Sequence, residues 1–400
     1  MAQLPLRYSV RNLLRRRTRT ALTVVGLALV VSVIVFMLAF SSSLASTLRE
    51  TGDPDNMIII SKKSQTFVLS SIAERETELI RNKLYDAAAT FERKDEWGTI
   101  TEPIISAEVY MGLNVEVQDA QTFRSGAQRG VLHGVDPQLA MELNSHVRLV
   151  EGRLPVQDAM EVIVGCMAAT RLGVADEDLG LGSKIRFLNQ IWTVVGRFEA
   201  TGTIMESEIW SHVEDLRLYL KRQDYSFMKV KLSDPSRMEE LCSQLSLDEQ
   251  FSVKAFAERT YFADYAEGFD FFRQFAHALV LITIVGGVVV GLNTMYTAVM
   301  GRVREIGTLQ VIGFSKKSVL LGILAESLVI ALVSGILGCG LGYLANGLPM
   351  KIPMAAFRVT VSLDVFVLSV AASLFIGCAG AFLPALRALR LRMVDAVRYQ

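Results

Sequence analysis

The sequence predicts a membrane protein with four transmembrane helices and a large mixed α/β extracytoplasmic domain between the first two. Three observations carry this expectation. The 400 residues are 51% hydrophobic and only 20% charged. Four long runs, Ala21 to Phe40, His277 to Met300, Ser327 to Leu348 and Val365 to Leu383, contain no Asp, Glu, Lys or Arg. Between the first two runs, residues 41 to 276 hold 25 Lys and Arg against 37 Asp and Glu, a net charge of −12, as suits a solvated, exported segment.

Each run is long enough to cross a bilayer, because about 20 helical residues span a hydrocarbon core of roughly 30 Å. The expected order is a basic N-terminal segment (1–20), helix 1 (21–45), the outside domain (46–270), helix 2 (271–300), a cytoplasmic segment (301–317), helix 3 (318–348), an outside loop (349–360), helix 4 (361–386) and a tail (387–400). Helix 1 has a small-residue site, Ser43-Leu44-Ala45, of the kind cleaved in signal peptides. Its apolar run exceeds the roughly 7–15 residues of a signal h-region, so a retained anchor is expected.

Cations beside helix ends stay on the cytoplasmic side. Arg7, Arg11, Arg15, Arg16, Arg17 and Arg19 precede helix 1 without an acid; Arg302, Arg304, Lys316 and Lys317 lie between helices 2 and 3; Arg387, Arg390, Arg392 and Arg398 follow helix 4. Both termini are therefore expected in the cytoplasm of a cell with this chain in its inner membrane.

Within the outside domain, Asn56 to Ser61 is an apolar run suited to a buried strand. Ser71 and Glu74 have capping-box spacing and would open a helix burying Ile72, Leu79, Ile80 and Leu84. Later, Met228, Val230 and Leu232 alternate with polar residues as a half-buried strand. Asp234-Pro235 supplies an N-cap and first-turn proline for a helix burying Met238, Leu241 and Leu245. Two strand–helix units thus flank an insert of about 110–220, where Glu161 to Val164, Lys184 to Phe187 and Ile191 to Gly196 read as short strands of a β-rich subdomain. Gly180-Leu-Gly-Ser183 lacks the Lys-Ser/Thr of a phosphate-binding loop and precedes a strand, so a turn is expected there.

In the cytoplasmic segment, Val303, Ile306 and Gln310 share one helical face, with Arg302, Arg304 and Glu305 around it; Gly313 suits a helix stop and Ser315 the cap of the next helix. Such a helix either lies in the interface with its arginines on lipid headgroups or docks a cytoplasmic partner through charge-assisted contacts. Glu326 falls near the cytoplasmic end of helix 3, where an interfacial carboxylate paired with a basic loop residue is expected, since a charge at mid-bilayer costs about 2.5–3.5 kcal/mol. Gly287 and Gly291, and Gly338 and Gly342, have the spacing that lets helices approach closely, within one subunit or across a dimer.

Three stretches resemble the MacB/FtsX family of ABC transporter permeases: Arg302 to Leu320 with Glu326 after it, which resembles the family's R-x-R-E-I-G coupling segment; Arg11 to Leu27, which resembles its N-terminal helix; and Pro384 to Tyr399, which resembles its C-terminal pattern, with Met393-Val394-Asp395 replacing the usual Asp-Pro-Ile-Glu. The outside domain adds looser likenesses, including Glu151 to Pro155 and Val194 to Phe198, to a β-rich insert joined to a porter-like strand–helix layer. The resemblance covers nearly the whole chain. It implies a permease that binds no cofactor itself. ATP and Mg would sit on a separate ABC ATPase, contacted through Arg302, Arg304, Glu305, Ile306, Leu309 and Gly313. It further implies a second permease subunit, alike or different, a periplasmic adaptor or outer-membrane component, and contact with membrane lipid. The implied activity is export or extraction of a lipoprotein, peptide, antibiotic or lipid; the alternative is a non-transporting scaffold that activates a cell-wall hydrolase. The large outside domain favours transport.

Other classes find no support. No Gly-x4-Gly-Lys-Ser/Thr sequence occurs in the chain. His133, His146 and His212 lack metal-ligand spacing, and Lys plus Arg equal Asp plus Glu at 41 each, with no basic excess for nucleic acid. Cys166 and Cys242 fall outside the membrane, where a disulfide is allowed, while Cys339 and Cys378 read as small apolar fillers.

Overall fold

A computed structural model describes residues 17–95, 98–119, 122–125, 129–352 and 355–390. Arg7, Arg11, Arg15, Arg16, Arg392 and Arg398, and the tail motif around Asp395, lie outside the described residues. Among those described, four helices are long and apolar enough to cross a membrane: Arg17–Glu50, Asp270–Met300, Lys316–Tyr343 and Leu363–Arg390. At about 1.5 Å per residue each exceeds the hydrocarbon thickness. A spanning helix must satisfy its backbone internally, and its hydroxyls follow suit: Thr294 donates to the Val290 carbonyl at 2.6 Å and Ser334 to the Ile330 carbonyl at 2.7 Å.

The chain divides into two compact units. In the helical unit, packing is set by small residues. A Cβ on Gly338 would lie 2.6 Å from Val31 and 2.7 Å from the Ala28 carbonyl oxygen, and one on Gly342 2.6 Å from Val35, so the third membrane helix lies directly on the first. Gly287 faces Val30 and Ile376, and Gly291 faces Gly380, bringing the second helix against the first and fourth. Ser373 Oγ donates to the Ala331 carbonyl at 2.7 Å, tying the fourth helix to the third. All four glycines expected to mediate close approach do so inside one chain.

The second unit holds Leu44–Asp270 and Pro349–Arg358. Its centre is one twelve-stranded sheet. The half expected as strand–helix units runs Val253–Ala257, Asn56–Ser61, Phe227–Lys231, Ile105–Leu113, with antiparallel neighbours. Helices Glu74–Leu84 and Met238–Leu247 cover it, burying Ile80, Leu84, Met238, Leu241 and Leu245 against Met57, Ile59 and Val230. The expected insert continues the same sheet. Strand Ile105–Leu113 is long enough to pair through Ile105 to Glu108 with Phe227–Lys231 and through Val109 to Leu113 with Gly130–Val135. Beyond that come Glu208–His212, Glu161–Gly165 and Gln190–Glu199, around a core holding Phe187 stacked on Trp192 at 4.6 Å.

Several local expectations are corrected. The capping box at Ser71 does not form: Ser71 donates to Asp224, Ala73 occupies the cap without a side-chain bond, and Ile72 joins a two-residue strand with Tyr225. Leu79 faces solvent at 50% exposure. The half-buried alternation of 228–232 fails at Lys229, which is 2% exposed. Asp234 does cap, through Ser236 N–H at 3.1 Å. The glycine-rich turn is a turn, with Gly182 at φ +81. Segment 349–360, read as a loop, contains a hairpin, Pro349–Ile352 with Ala355–Arg358, whose Phe357 is buried and which packs beside the turn Ile204–Ser207. Cys166 and Cys242 carry free thiols; burial pushes the Cys242 thiol up to about 11.

Candidate functional site

The short helix Val303–Val311 sits between two membrane helices. Gly313 at φ +105 adopts a conformation that L side chains avoid, which ends the helix, and its N–H donates to the Gln310 carbonyl at 3.1 Å. Ser315 Oγ then caps the next helix by accepting from Ser318 N–H at 3.2 Å. Local sequence therefore dictates helix, stop and restart.

Burial divides the helix into two faces. Val303, Ile306, Gly307 and Gln310 point inward, and Ile306 packs with Val299, Val319, Ala388 and Leu389, which belong to the ends of the other membrane helices. Leu309 joins the edge of this cluster. Ile306 and Leu309 thus anchor the helix from inside. Arg302 is also committed inward: its guanidinium donates to both Glu326 carboxylate oxygens, at 3.0 and 2.9 Å, with side chains 14% and 15% exposed. This ion pair bolts the start of the short helix to the third membrane helix, so Glu326 has a basic partner from the segment before the short helix.

The face left to solvent is made by Arg304, Glu305 and Thr308, followed by Val311 and Ile312 at 66% and 69% exposure, then Gly313, Lys316 and Lys317. Positions 304, 308, 311 and 312 recur at the spacing of one helical stripe. Of the residues expected at this site, Arg304, Glu305 and Gly313 are exposed, while Arg302, Ile306 and Leu309 hold the helix in place. Thr308, Val311 and Ile312 share this exposed face, and two adjacent β-branched apolar residues before a helix-ending glycine are its readable signal. An apolar pair rimmed by charges of both signs is suited to entering a groove on a soluble protein.

A second charged constellation lies in the α/β domain and is closed. His133 bridges Glu208 and Glu108 at 2.9 and 2.8 Å, Trp210 Nε1 donates to Glu208 at 2.8 Å, and Lys229 pairs with Glu258 and donates to Asn144 at 2.8 Å. Burial opposes the charge on His133, but Glu208 and Glu108 outweigh it and lift its pKa to about 9. Both carboxyls sit low, because the imidazolium overcomes their desolvation, and Glu258 likewise raises Lys229 against burial. The adjoining cavity is only about 10 Å³, room for no more than one water.

Glu258 also accepts from Asn56 Nδ2 at 2.9 Å and Asp53 N–H at 3.3 Å. A Cβ on Gly52 would meet the Arg259 backbone at 2.7 Å. The chain entering the domain after Glu50 and the helix Glu258–Glu267 leaving it are thus clamped together at one carboxylate. Sequence spacing gave no hint of it, since the partners lie about two hundred residues apart.

Residues 20–246 match the family described as MacB-like periplasmic core domain, and residues 278–393 match the FtsX-like permease C-terminal family. The chain belongs to the MacB/FtsX family of ABC transporter permeases. Over 117 residues this permease is 34% identical to the uncharacterised ABC transporter permease YknZ of Bacillus subtilis, covering 29% of each protein. Over 406 residues it is 25% identical to the macrolide export ATP-binding/permease protein MacB of Chromobacterium violaceum, covering 95% of this chain and 58% of that one. It thus spans less than two thirds of the curated relatives it matches. The crystal structure of the periplasmic region of MacB from Actinobacillus actinomycetemcomitans aligns over 53% of this chain and 92% of its own at 13% identity, with a TM-score of 0.38. The chain is a permease without an ATPase motif of its own, and no group of His, Cys, Asp or Glu able to hold a metal occurs among the described residues.

Proposed function

We propose that this permease receives the stroke of an ABC ATPase at the helix Val303–Val311 and passes it through its membrane helices to the α/β domain, driving export or extraction of a cargo from the membrane or periplasm. The exposed stripe Arg304, Glu305, Thr308, Val311 and Ile312, on a helix whose other face is anchored to the membrane helices, carries this reading. A push on the stripe is transmitted because the buried face and the Arg302–Glu326 pair leave the short helix no independent freedom. ATP and Mg belong to the partner ATPase. The cations at 302–317 and after residue 386 support a cytoplasmic side for the stripe and both termini in an inner-membrane protein. A second permease subunit completes the transporter, and a periplasmic adaptor or outer-membrane component receives the cargo. The cargo is a lipoprotein, peptide, antibiotic or lipid; macrolide export, in the names of the MacB relatives, falls in this range.

Copurification with the cognate ATPase tests the reading. The double charge reversal R304E/E305R and, separately, I312D should each lower recovery of the ATPase at least tenfold while leaving membrane insertion intact. Undiminished complex and transport in both variants would remove the stripe from the mechanism.

A further inference from the structure

The second and fourth membrane helices touch through glycine and then part. A Cβ on Gly380 would lie 2.9 Å from the Gly291 carbonyl carbon, so the backbones are in contact there. One turn further on, the second helix presents Leu292, Asn293 and Tyr296, and the fourth presents Leu383, Pro384 and Arg387. Side chains of this size hold the helices apart. Pro384, inside its helix, also has no N–H for the carbonyl four residues back. The result is an open cleft of about 330 Å³.

Its chemistry is divided along its length. Val289 and Leu383 make an apolar wall, exposed at 59% and 60%. At the end toward Met300 and Arg390, the Arg387 guanidinium lies over the Tyr296 ring, 5.7 Å from its centroid, beside the exposed carboxamide of Asn293. Among the described residues Arg387 has no carboxylate partner. Glu326, an acid at this end of the helical unit, is already taken by Arg302. A cation with two hydrogen-bonding neighbours at one end of an apolar trough lacks only an anion with a hydrocarbon tail.

We propose that the cleft binds an anionic diacyl phospholipid, with its phosphate on Arg387, within reach of Asn293 and the Tyr296 hydroxyl, and one acyl chain along Val289 and Leu383. Arginine favours phosphate through charge-assisted paired hydrogen bonds, and basic pockets between membrane helices at the cytoplasmic side select anionic headgroups. Assigning the lipid to the cytoplasmic leaflet rests on the orientation proposed above; the cleft and its selectivity do not. A bound lipid would brace the second helix against the fourth next to the anchor of the short helix, because Ala388 and Leu389 follow Arg387 directly into the cluster around Ile306.

The test is native mass spectrometry of the full chain in detergent, given phosphatidylglycerol and phosphatidylcholine of identical acyl chains in equal amounts. The wild type should retain phosphatidylglycerol about fivefold over phosphatidylcholine, the preference one basic residue at the surface supplies. R387Q should abolish the preference and R387K should keep part of it. L383W, which fills the trough and leaves the cation, should lower retention of both lipids. K317Q, a basic residue at the same end but outside the cleft, should leave the preference unchanged. Equal retention by the wild type, or full preference in R387Q, overturns the proposal. So does efficient cross-linking of N293C between two copies in membranes, which would show that protein covers the cleft. Micelle binding needs neither ATPase nor orientation, so its failure is distinct from failure of the R304E/E305R test.

Discussion

The α/β domain and the helical unit each bury an ion pair at a junction, and they surround it differently. Lys229 and Glu258 are 2% and 0% exposed, and Asn144, Asn56 and the Asp53 N–H add further hydrogen bonds to the pair. Arg302 and Glu326 keep 14% and 15% of their surface, with each carboxylate oxygen accepting from one guanidinium nitrogen. Desolvating two charges is expensive unless every lone pair and proton is matched. The first pair answers part of that demand with a network and fixes where the chain enters and leaves the domain. The second stays partly exposed and fixes one end of one short helix. Burial depth therefore ranks the two junctions: the domain clamp is the more deeply buried, and the short helix Val303–Val311 is held by a joint that stays partly exposed.

The sharpest way to break this ranking is to strand one charge of each pair. K229M leaves Glu258 buried without its cation and should destabilise the domain by about 3–5 kcal/mol. The double variant K229M/E258M should recover most of that, because an apolar pair of similar volume removes the stranded charge. Denaturant unfolding followed through the fluorescence of buried Trp192 and Trp210 reports both. A single-variant loss below about 1 kcal/mol would mean that the clamp does not secure the junction. R302M should cost less, about 1–3 kcal/mol, since the Glu326 it leaves behind is only partly buried. If R302M proves the costlier of the two, the ranking is inverted.

Apolar packing contrasts in a parallel way. The third membrane helix meets the first without clearance, so G338A forces a Cβ to 2.7 Å from the Ala28 carbonyl oxygen. Overpacking of that kind typically costs about 1–3 kcal/mol. G291A is the control on the neighbouring seam, where the nearest atom to a new Cβ is 3.5 Å away, an ordinary contact. Thermal unfolding in detergent should separate the two, with G338A lower in Tm and G291A near wild type. Equal Tm values would show that the tight approach at Gly338 relaxes freely.

What was legible in the residues follows the same division. The membrane helices and the inward face of Val303–Val311 could be read because their signals are local: uninterrupted apolar runs, and Val303, Ile306 and Gln310 at helical spacing. The inward turn of Arg302 is not legible in the residues, because its partner Glu326 is 24 positions away and helical spacing alone does not say which way an N-terminal arginine turns. The clamp was illegible for a stronger reason. Lys229 sits in a strand whose alternation marks it as solvent-facing, and only pairing with Glu258 and Asn144 from distant segments, with the charge of Glu108 nearby, makes its burial tolerable. The two halves of the domain read as separate subdomains because nothing in Ile105–Leu113 announces that one strand is shared by both.

The smallest expected effect tests whether the His133 bridge stabilises the domain or merely fills it. Its folded-state pKa of about 9 lies above the ordinary 6.5, so the bound proton stabilises the fold. That contribution is complete below pH 6.5 and is lost as pH rises through about 9. Glu108 and Glu208 are held low, so their contribution is present above the ordinary carboxylate value of 4.5 and is lost as pH falls below it. The Tm of the full chain should therefore hold a plateau between about pH 4.5 and 6.5 and decline from there toward pH 9. Trp210, whose indole donates to Glu208, should register the decline by fluorescence. H133Q should lower the plateau and flatten its alkaline side, since glutamine keeps a hydrogen bond but does not titrate in this range. An unchanged alkaline slope in H133Q would assign the decline to another group and leave Lys229–Glu258 as the pair that secures the junction.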